Sequence, residues 1–257
     1  MEAILQVERL SRRFGGLAAL DDLSFAIRSG EIRGLIGPNG AGKTTTFNVI
    51  SGFYAPSSGR VLFESRDISG QRTSRVAALG LVRTFQQTTL FQELSVLDNV
   101  LVGGHLRARR GLLVTLFGRA SAPQRRARAE ALEMLDFFGL AGRRGDLAAN
   151  LPHGLQRALG MAIALMPQPK MLLLDEPFTG MNAEETGHMM ALIRKVRTRG
   201  VTVLLVEHDM QAVMGLCDRI TVLNFGRLLA EGAPHEIQNH PEVIEAYLGT
   251  PRDAAIH

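Results

Sequence analysis

Apolar and polar positions change rhythm several times along the chain, and each change predicts a different kind of element. Near the start, ILQVERL and LDDLSFAIRSGEIRGLIG alternate as strands do, parted by the Gly15-Gly16 pair, which predicts an antiparallel ribbon. Short, unbroken apolar runs follow, EIRGLIG, KMLLLDEP, VTVLLVEHD and RITVLNF, with helix-like stretches between them. Runs of that kind belong to strands buried on both faces of a parallel sheet in an α/β layer. Between Phe91 and Gly160 the rhythm turns helical, and PQRRARAEALEMLDFFGL is expected to set Ala131, Leu132, Leu135 and Phe138 on one side. The pattern therefore predicts an α/β core with an antiparallel β subdomain and an inserted helical subdomain. No fixed-period repeat or low-complexity segment interrupts it.

Composition narrows the setting. At 257 residues with 46% hydrophobic and 21% charged content, the chain can bury a substantial core as one large domain or two small ones. Its single cysteine, Cys217, excludes an internal disulfide and disfavours a cysteine-based metal site, which suits a reducing, cytoplasmic setting. Glu2 and Glu8 fall where a secretory signal needs a basic start and an apolar run, so no export is expected. Apolar stretches such as MAIALM and VTVLLV fall far short of the ~20 residues that span a bilayer.

The net charge of +4 is unevenly spread. No acidic residue lies between Asn99 and Ala129, whereas Arg107, Arg109, Arg110, Arg119, Arg125, Arg126 and Arg128 do. Such an island reads as a solvated face, as a site for anionic headgroups, or as a nucleic-acid surface. Nucleic acid comes last and is not expected as a partner, because no aromatic residues are interleaved for base stacking.

The strongest chemical signal is GPNGAGKT, Gly37 to Thr44, which fits G-x-x-x-x-G-K-[ST] and joins strand-like EIRGLI to helix-like TTFNVISG. Backbone N–H groups of such a loop and the helix start behind it cradle a phosphate chain. Lys43 is suited to neutralising β- and γ-phosphate oxygens, and the Thr44 hydroxyl to holding Mg²⁺. MLLLDEP ends a buried strand in Asp175 and Glu176. Strand alternation predicts that Asp175 reaches the Mg²⁺ region while Glu176 faces an attacking water. VTVLLVEHD carries His208 to the same end of the sheet, where it can orient phosphate and water.

These motifs, with Gln86 in RTFQQ, Leu151 to Leu155, GMN at Gly180 to Asn182, and their order, resemble the ATPase subunit of an ABC transporter over nearly the whole chain. The resemblance implies a P-loop NTPase of ABC ATPase type that uses ATP and Mg²⁺. It implies a nucleotide site at Gly37, Pro38, Asn39, Gly40, Ala41, Gly42, Lys43, Thr44, Thr45 and Asp175, with Phe14 stacked on adenine. Thr44, Asp175 and Gln86 are implied for the metal, and Glu176, His208 and Gln86 for catalysis. Gln86, with Gln87 as the alternative, is the implied link to the membrane subunits, and Asn182 lies in the implied dimer-crossing loop. It also implies a single domain over 1–257, with a nucleotide-binding core at 1–90 and 161–230, a helical subdomain at 91–160 and a C-terminal tail at 231–257.

A narrower resemblance rests on FGGLAALDDLSF, VRTFQQTTLFQELSVLDNV, the arginine-rich insertion, DEPFTGMNAEET, VEHDM and AEGAPHEIQNHPEVIEAYLG. Together they are similar to importers of branched-chain amino acids and related polar solutes. Urea or amide importers and soluble, non-transport ABC ATPases are the alternatives. A cassette that only binds ATP for regulation is disfavoured by Glu176 and His208. Implied partners are a second cassette, transmembrane permease subunits and, indirectly, an extracytoplasmic solute-binding protein. The implied location is peripheral, on the cytoplasmic face of the inner membrane.

In this family the helix at Leu151 carries a Leu-Ser-Gly-Gly-Gln signature that meets the γ-phosphate of the opposite subunit. Here Pro152 replaces the serine and Leu155 the glutamine, leaving Gly154 and His153 as the implied contacts. A weakened signature favours a heterodimer over a homodimer. Proline in a first helical turn is also a plain helix starter.

Overall fold

The protein is described by a computed structural model covering residues 2–84, 90–104 and 122–248. Gln86, Gln87, Arg107, Arg109, Arg110 and Arg119 lie outside the described residues.

The chain opens with strands β1 (Ala3–Phe14) and β2 (Leu17–Arg28), paired antiparallel so that Phe14 faces Leu17 across the two glycines. Strand β3 (Ile32–Ile36) leads into helix α1 (Lys43–Ile50). Strands β4 (Ser58–Phe63) and β5 (Arg66–Asp67) follow, then helix α2 (Thr73–Ala78) and strand β6 (Leu81–Arg83). Three helices come next, α3 (Val96–Gly104), α4 (Ala122–Phe137) and α5 (His153–Leu165). The remaining elements are β7 (Met171–Asp175), α6 (Ala183–Thr198), β8 (Thr202–Val206), α7 (Met210–Leu216), β9 (Arg219–Asn224) and β10 (Arg227–Gly232). Helices α8 (Pro234–Gln238) and α9 (Pro241–Leu248) end the described chain.

Two sheets result. One is antiparallel in the order β2-β1-β4-β5; the other runs β10-β9-β3-β8-β7-β6, parallel except for the β9–β10 hairpin. All five residues of β3, of β7 and of β8 are buried, which is why these strands read as continuous apolar runs. Arg33 is the exception in chemistry, since only 1% of it is exposed. Its guanidinium is held by Glu31 at 2.6 Å, Glu231 at 3.1 Å and the Ala26 carbonyl at 2.9 Å, so the buried charge is paired. Cys217, at the end of α7, is a free buried thiol, and burial pushes its pKa up to about 12.

Helices α3, α4 and α5 share one core with the adjoining face of the parallel sheet. In α4 the expected apolar side needs one correction. Ala131, Leu135 and Phe138 are buried, but Leu132 is 37% exposed and Met134 takes its place. At 3.6 residues per turn, 131, 134, 135 and 138 form one stripe, whereas 132 is rotated away from it. Helix α5 continues to Leu165.

Candidate nucleotide site

The loop between β3 and α1 is shaped by backbone that only glycine adopts without strain. Gly37 and Gly42 have φ of 153° and 102°; a Cβ at Gly37 would lie 2.2 Å from the Leu223 carbonyl, and one at Gly42 2.8 Å from that of Ala19. The turn between β9 and β10 clamps the loop from outside, Gly226 N–H donating to the Ala41 carbonyl at 3.0 Å. Asn39, Gly40 and Thr44 are exposed on the loop, Pro38 and Thr45 half-buried. Helix α1 has no acidic residue in its first turn, and its N-cap, Gly42, offers no side chain. Its first N–H groups are thus left for an anion.

Lys43 is buried, and its Nζ donates to the carbonyls of Gly37 at 2.6 Å and Pro38 at 3.0 Å. Burial lowers its pKa below the ordinary 10.5, while the charge of Glu176 acts in the opposite direction. An ammonium held by carbonyls alone, beside an acidic residue, is a site short of anion, and a phosphate chain fits it.

Asp175 and Glu176 diverge, but not through strand alternation. Strand β7 ends at Asp175, and Glu176 has left-handed backbone with φ of 47°, its N–H donating to the Val206 carbonyl at 2.9 Å. The reversal of the chain, rather than the pleat, separates the two carboxylates. A non-glycine residue in that region costs roughly 1–3 kcal/mol and persists only where its surroundings hold it. His208, two residues beyond β8, sets its Nε2 3.0 Å from Glu176 Oε1, and the Thr179 hydroxyl donates to Oε2 at 3.3 Å.

Three neighbours escaped the reading of the sequence. Arg83, at the end of β6, forms a buried ion pair with Asp175 at 2.7 Å and donates to Asn48 Oδ1 on α1 at 2.7 Å. Glu207 is buried and accepts from the N–H groups of Phe178 at 2.7 Å and His208 at 2.9 Å. Burial raises the Glu207 pKa against the pull of these N–H groups. Arg157 of α5 donates to the Glu176 carbonyl at 3.1 Å, tying the helical part to the turn after β7. The one available signal was a charge set within or against an apolar run, as in LLVEHD.

The remaining expected residues are placed as follows. Phe14, 39% exposed, meets Tyr54 edge-on at 5.2 Å, and the Arg12 guanidinium lies 4.6 Å from its ring centre. Helix α5 begins at His153 rather than Leu151, and Pro152 is its N-cap, not a first-turn residue; the proline has ψ of 151° and no side-chain cap bond. Extended backbone there lets the Pro152 carbonyl accept the first helical bond, from Gln156 N–H at 3.0 Å. His153 Cε1 lies 3.6 Å from where a Gly180 Cβ would be, and Glu185 Oε1 3.4 Å from the same point on Gly154. Glu185 and Asn182 cap α6 reciprocally, at 2.9 and 3.0 Å.

Among the described residues no group of three or more His, Cys, Asp or Glu could hold a metal by itself. A cation held by one carboxylate, one hydroxyl and phosphate oxygens fits this donor set, and that is how Mg²⁺ is ordinarily bound.

Known proteins match this architecture. Residues 20–179 match the family described as ABC transporter, and residues 227–253 match the one described as branched-chain amino acid ATP-binding cassette transporter. The chain belongs to the ABC transporter family, as one of its ATP-hydrolysing cassettes. It is 44% identical over 253 residues to a high-affinity branched-chain amino acid transport ATP-binding protein, LivG, of Salmonella typhimurium, covering 96% of this chain and 98% of that one. It is 41% identical to the corresponding protein BraF of Pseudomonas aeruginosa, covering 96% and 98%. A crystal structure of an ATP-binding cassette of an ABC transporter in its ADP conformation superposes with a TM-score of 0.86 at 30% identity, covering 97% of this chain and all of that one.

Proposed function

We propose that this chain is the ATP-hydrolysing subunit of an importer for branched-chain amino acids. The names of its relatives and the match at 227–253 support that solute. The single observation that carries hydrolysis is the Glu176–His208 contact of 3.0 Å beside the Lys43 loop.

Each residue then has a task. Phe14 stacks on the adenine, and the N–H groups of Gly37 to Thr45 with the Lys43 ammonium bind the phosphates. Thr44, Asp175 and Gln86 would hold Mg²⁺, which would supply neutralisation of the phosphate charge. Glu176 accepts the proton of the attacking water, and His208 holds that carboxylate and the γ-phosphate in line. The chain works as one domain, with its core at 1–90 and 161–230, the helical part at 91–160 and a tail at 231–257.

Two cassettes close over two ATP molecules, His153 and Gly154 of each facing the phosphate held by the other, with Asn182 at the crossing. Pro152 lacks both hydroxyl and N–H, so a partner with an intact signature is favoured, making a heterodimer. The cassette sits peripherally on the cytoplasmic face, bound to permease subunits and served through them by an extracytoplasmic solute-binding protein. Among the described residues no helix is long and apolar enough to cross a membrane.

Reconstitution with the co-purifying membrane subunits tests the reading. ATP-dependent uptake of labelled leucine into proteoliposomes is the expected result. Uptake of urea or an amide in its place transfers the chain to that class of importer, and no co-purifying membrane subunit overturns the transport role.

A further inference from the structure

The turns that carry Glu176 and His208 are joined by a buried carboxylate. Glu207 is 3% exposed, and each of its oxygens has a backbone donor: Oε1 accepts from Phe178 N–H at 2.7 Å, and Oε2 from His208 N–H at 2.9 Å. Both donors lie outside the helices and strands, so no regular ladder supplies them with an acceptor. Phe178 stands two residues beyond Glu176, and its side chain is buried in the same core as Met189 and Leu192 of α6. His208 is the opposite case, with 51% of its side chain exposed. Packing does little to hold that imidazole, so its place 3.0 Å from Glu176 depends on where its backbone is held. On the far side of His208, Asp209 caps α7, accepting from Ala212 N–H at 3.0 Å, which fixes the helix but not its distance from the Glu176 turn. Glu207 supplies that distance by tying the His208 backbone to the fixed point at Phe178.

We propose that Glu207 is a positioning residue for ATP hydrolysis: its carboxylate spans the turn after Glu176 and the backbone of His208, and so sets the two side chains against each other. The proposal rests on the reading of Glu176 and His208 as the hydrolytic pair. A carboxylate suits the task because it offers two acceptor oxygens and no donor. Glutamine in the same place has one acceptor, and its NH₂ meets one of the two backbone N–H groups donor to donor. Glu207 acts through His208 and the turn, not on the nucleotide. The Gly37 to Thr45 loop follows a different strand, β3, so loss of the clamp is expected in turnover rather than in ATP binding.

Glu207→Gln and Glu207→Asp in the full chain test it, the first removing one acceptor and the second drawing both oxygens back by one methylene. For each variant kcat, the Kd of a fluorescent ATP analogue with Mg²⁺ and the urea midpoint are measured together. A His208 displaced by about an ångström predicts a fall of about ten- to a hundredfold in kcat, with Kd within about twofold of the parent. Glu31→Gln is the control for stability alone, because it breaks another buried carboxylate pair, with Arg33 at 2.6 Å, at the opposite end of β3 from the phosphate loop. It is expected to lower the urea midpoint and to leave kcat within about twofold. Parental kcat in either folded Glu207 variant, an ATP affinity that falls in step with kcat, or an equal fall of kcat in Glu31→Gln overturns the proposal. Amide exchange in the parent needs no variant: the N–H groups of Phe178 and His208 are expected to exchange slowly, and exchange at the rate of an open chain overturns the clamp. His208→Ala separates the two readings. Parental kcat there removes the hydrolytic pair itself, whereas a loss there with none in Glu207→Gln removes only Glu207.

Discussion

His208 Nε2 stands 3.0 Å from Glu176 Oε1, joining residues that follow two neighbouring parallel strands. Glu176 is the residue of the pair with costly backbone, at φ of 47°, and it is held there by Val206 and Arg157 through its own N–H and carbonyl. Its backbone is thus held on both sides, while His208 and the Thr179 hydroxyl meet the carboxylate itself, an arrangement that suits a general base.

Glu176→Gln keeps the shape of that side chain and loses its basicity. We expect kcat for ATP to fall by about 10²-fold or more while ATP affinity stays within about twofold. Single-turnover phosphate release and analogue binding measure the two separately. Turnover near the parental rate would remove Glu176 from the chemistry.

Lys43→Met has a consequence for stability as well as binding. In the folded chain the Lys43 pKa lies below 10.5, so between that lowered value and 10.5 the unfolded chain binds more protons. Stability of the parent therefore gains from this group as pH rises through that window, and its burial costs stability at lower pH. The gain is expected to be missing in Lys43→Met, which also loses ATP affinity. Urea unfolding of both proteins at a series of pH values up to 10.5 decides it; parallel curves refute the assignment.

Arg83→Met leaves Asp175 as a buried carboxylate without its 2.7 Å partner. Breaking a buried pair from one side costs about 3 kcal/mol or more, whereas the double change with Asp175→Leu recovers much of it. A double-mutant cycle by urea unfolding measures the coupling, and additive losses contradict a coupled pair.

Pro152→Ser restores a hydroxyl and a backbone N–H at the N-cap of α5. In the reconstituted complex, ATP-driven association of cassettes is expected to tighten by about 1.5–3 kcal/mol, the range for one hydrogen bond to a charged group. Sedimentation with ATP and the catalytically blocked Glu176→Gln background provides the measurement. No change leaves Pro152 as the N-cap of α5 with no part in ATP-driven association.

Several features were determined by the sequence alone because their causes are local. The buried strands β3, β7 and β8 declare themselves by unbroken apolar runs, the hairpin of β1 and β2 by its two glycines, and the loop Gly37 to Thr44 by backbone geometry that only those glycines permit. Other features belong to the order in which distant strands lie side by side. Arg83 and Asp175 are 92 residues apart and meet because β6 and β7 are neighbours, and Ile237 and Val243 join the sheet's core because α8 and α9 fold back over it. Even the divergence of Asp175 and Glu176 was decided by a left-handed turn, not by the strand period. Periodicity and turn chemistry act over a few residues, but which charge meets which is set by strand order, and that is fixed only when the whole core closes.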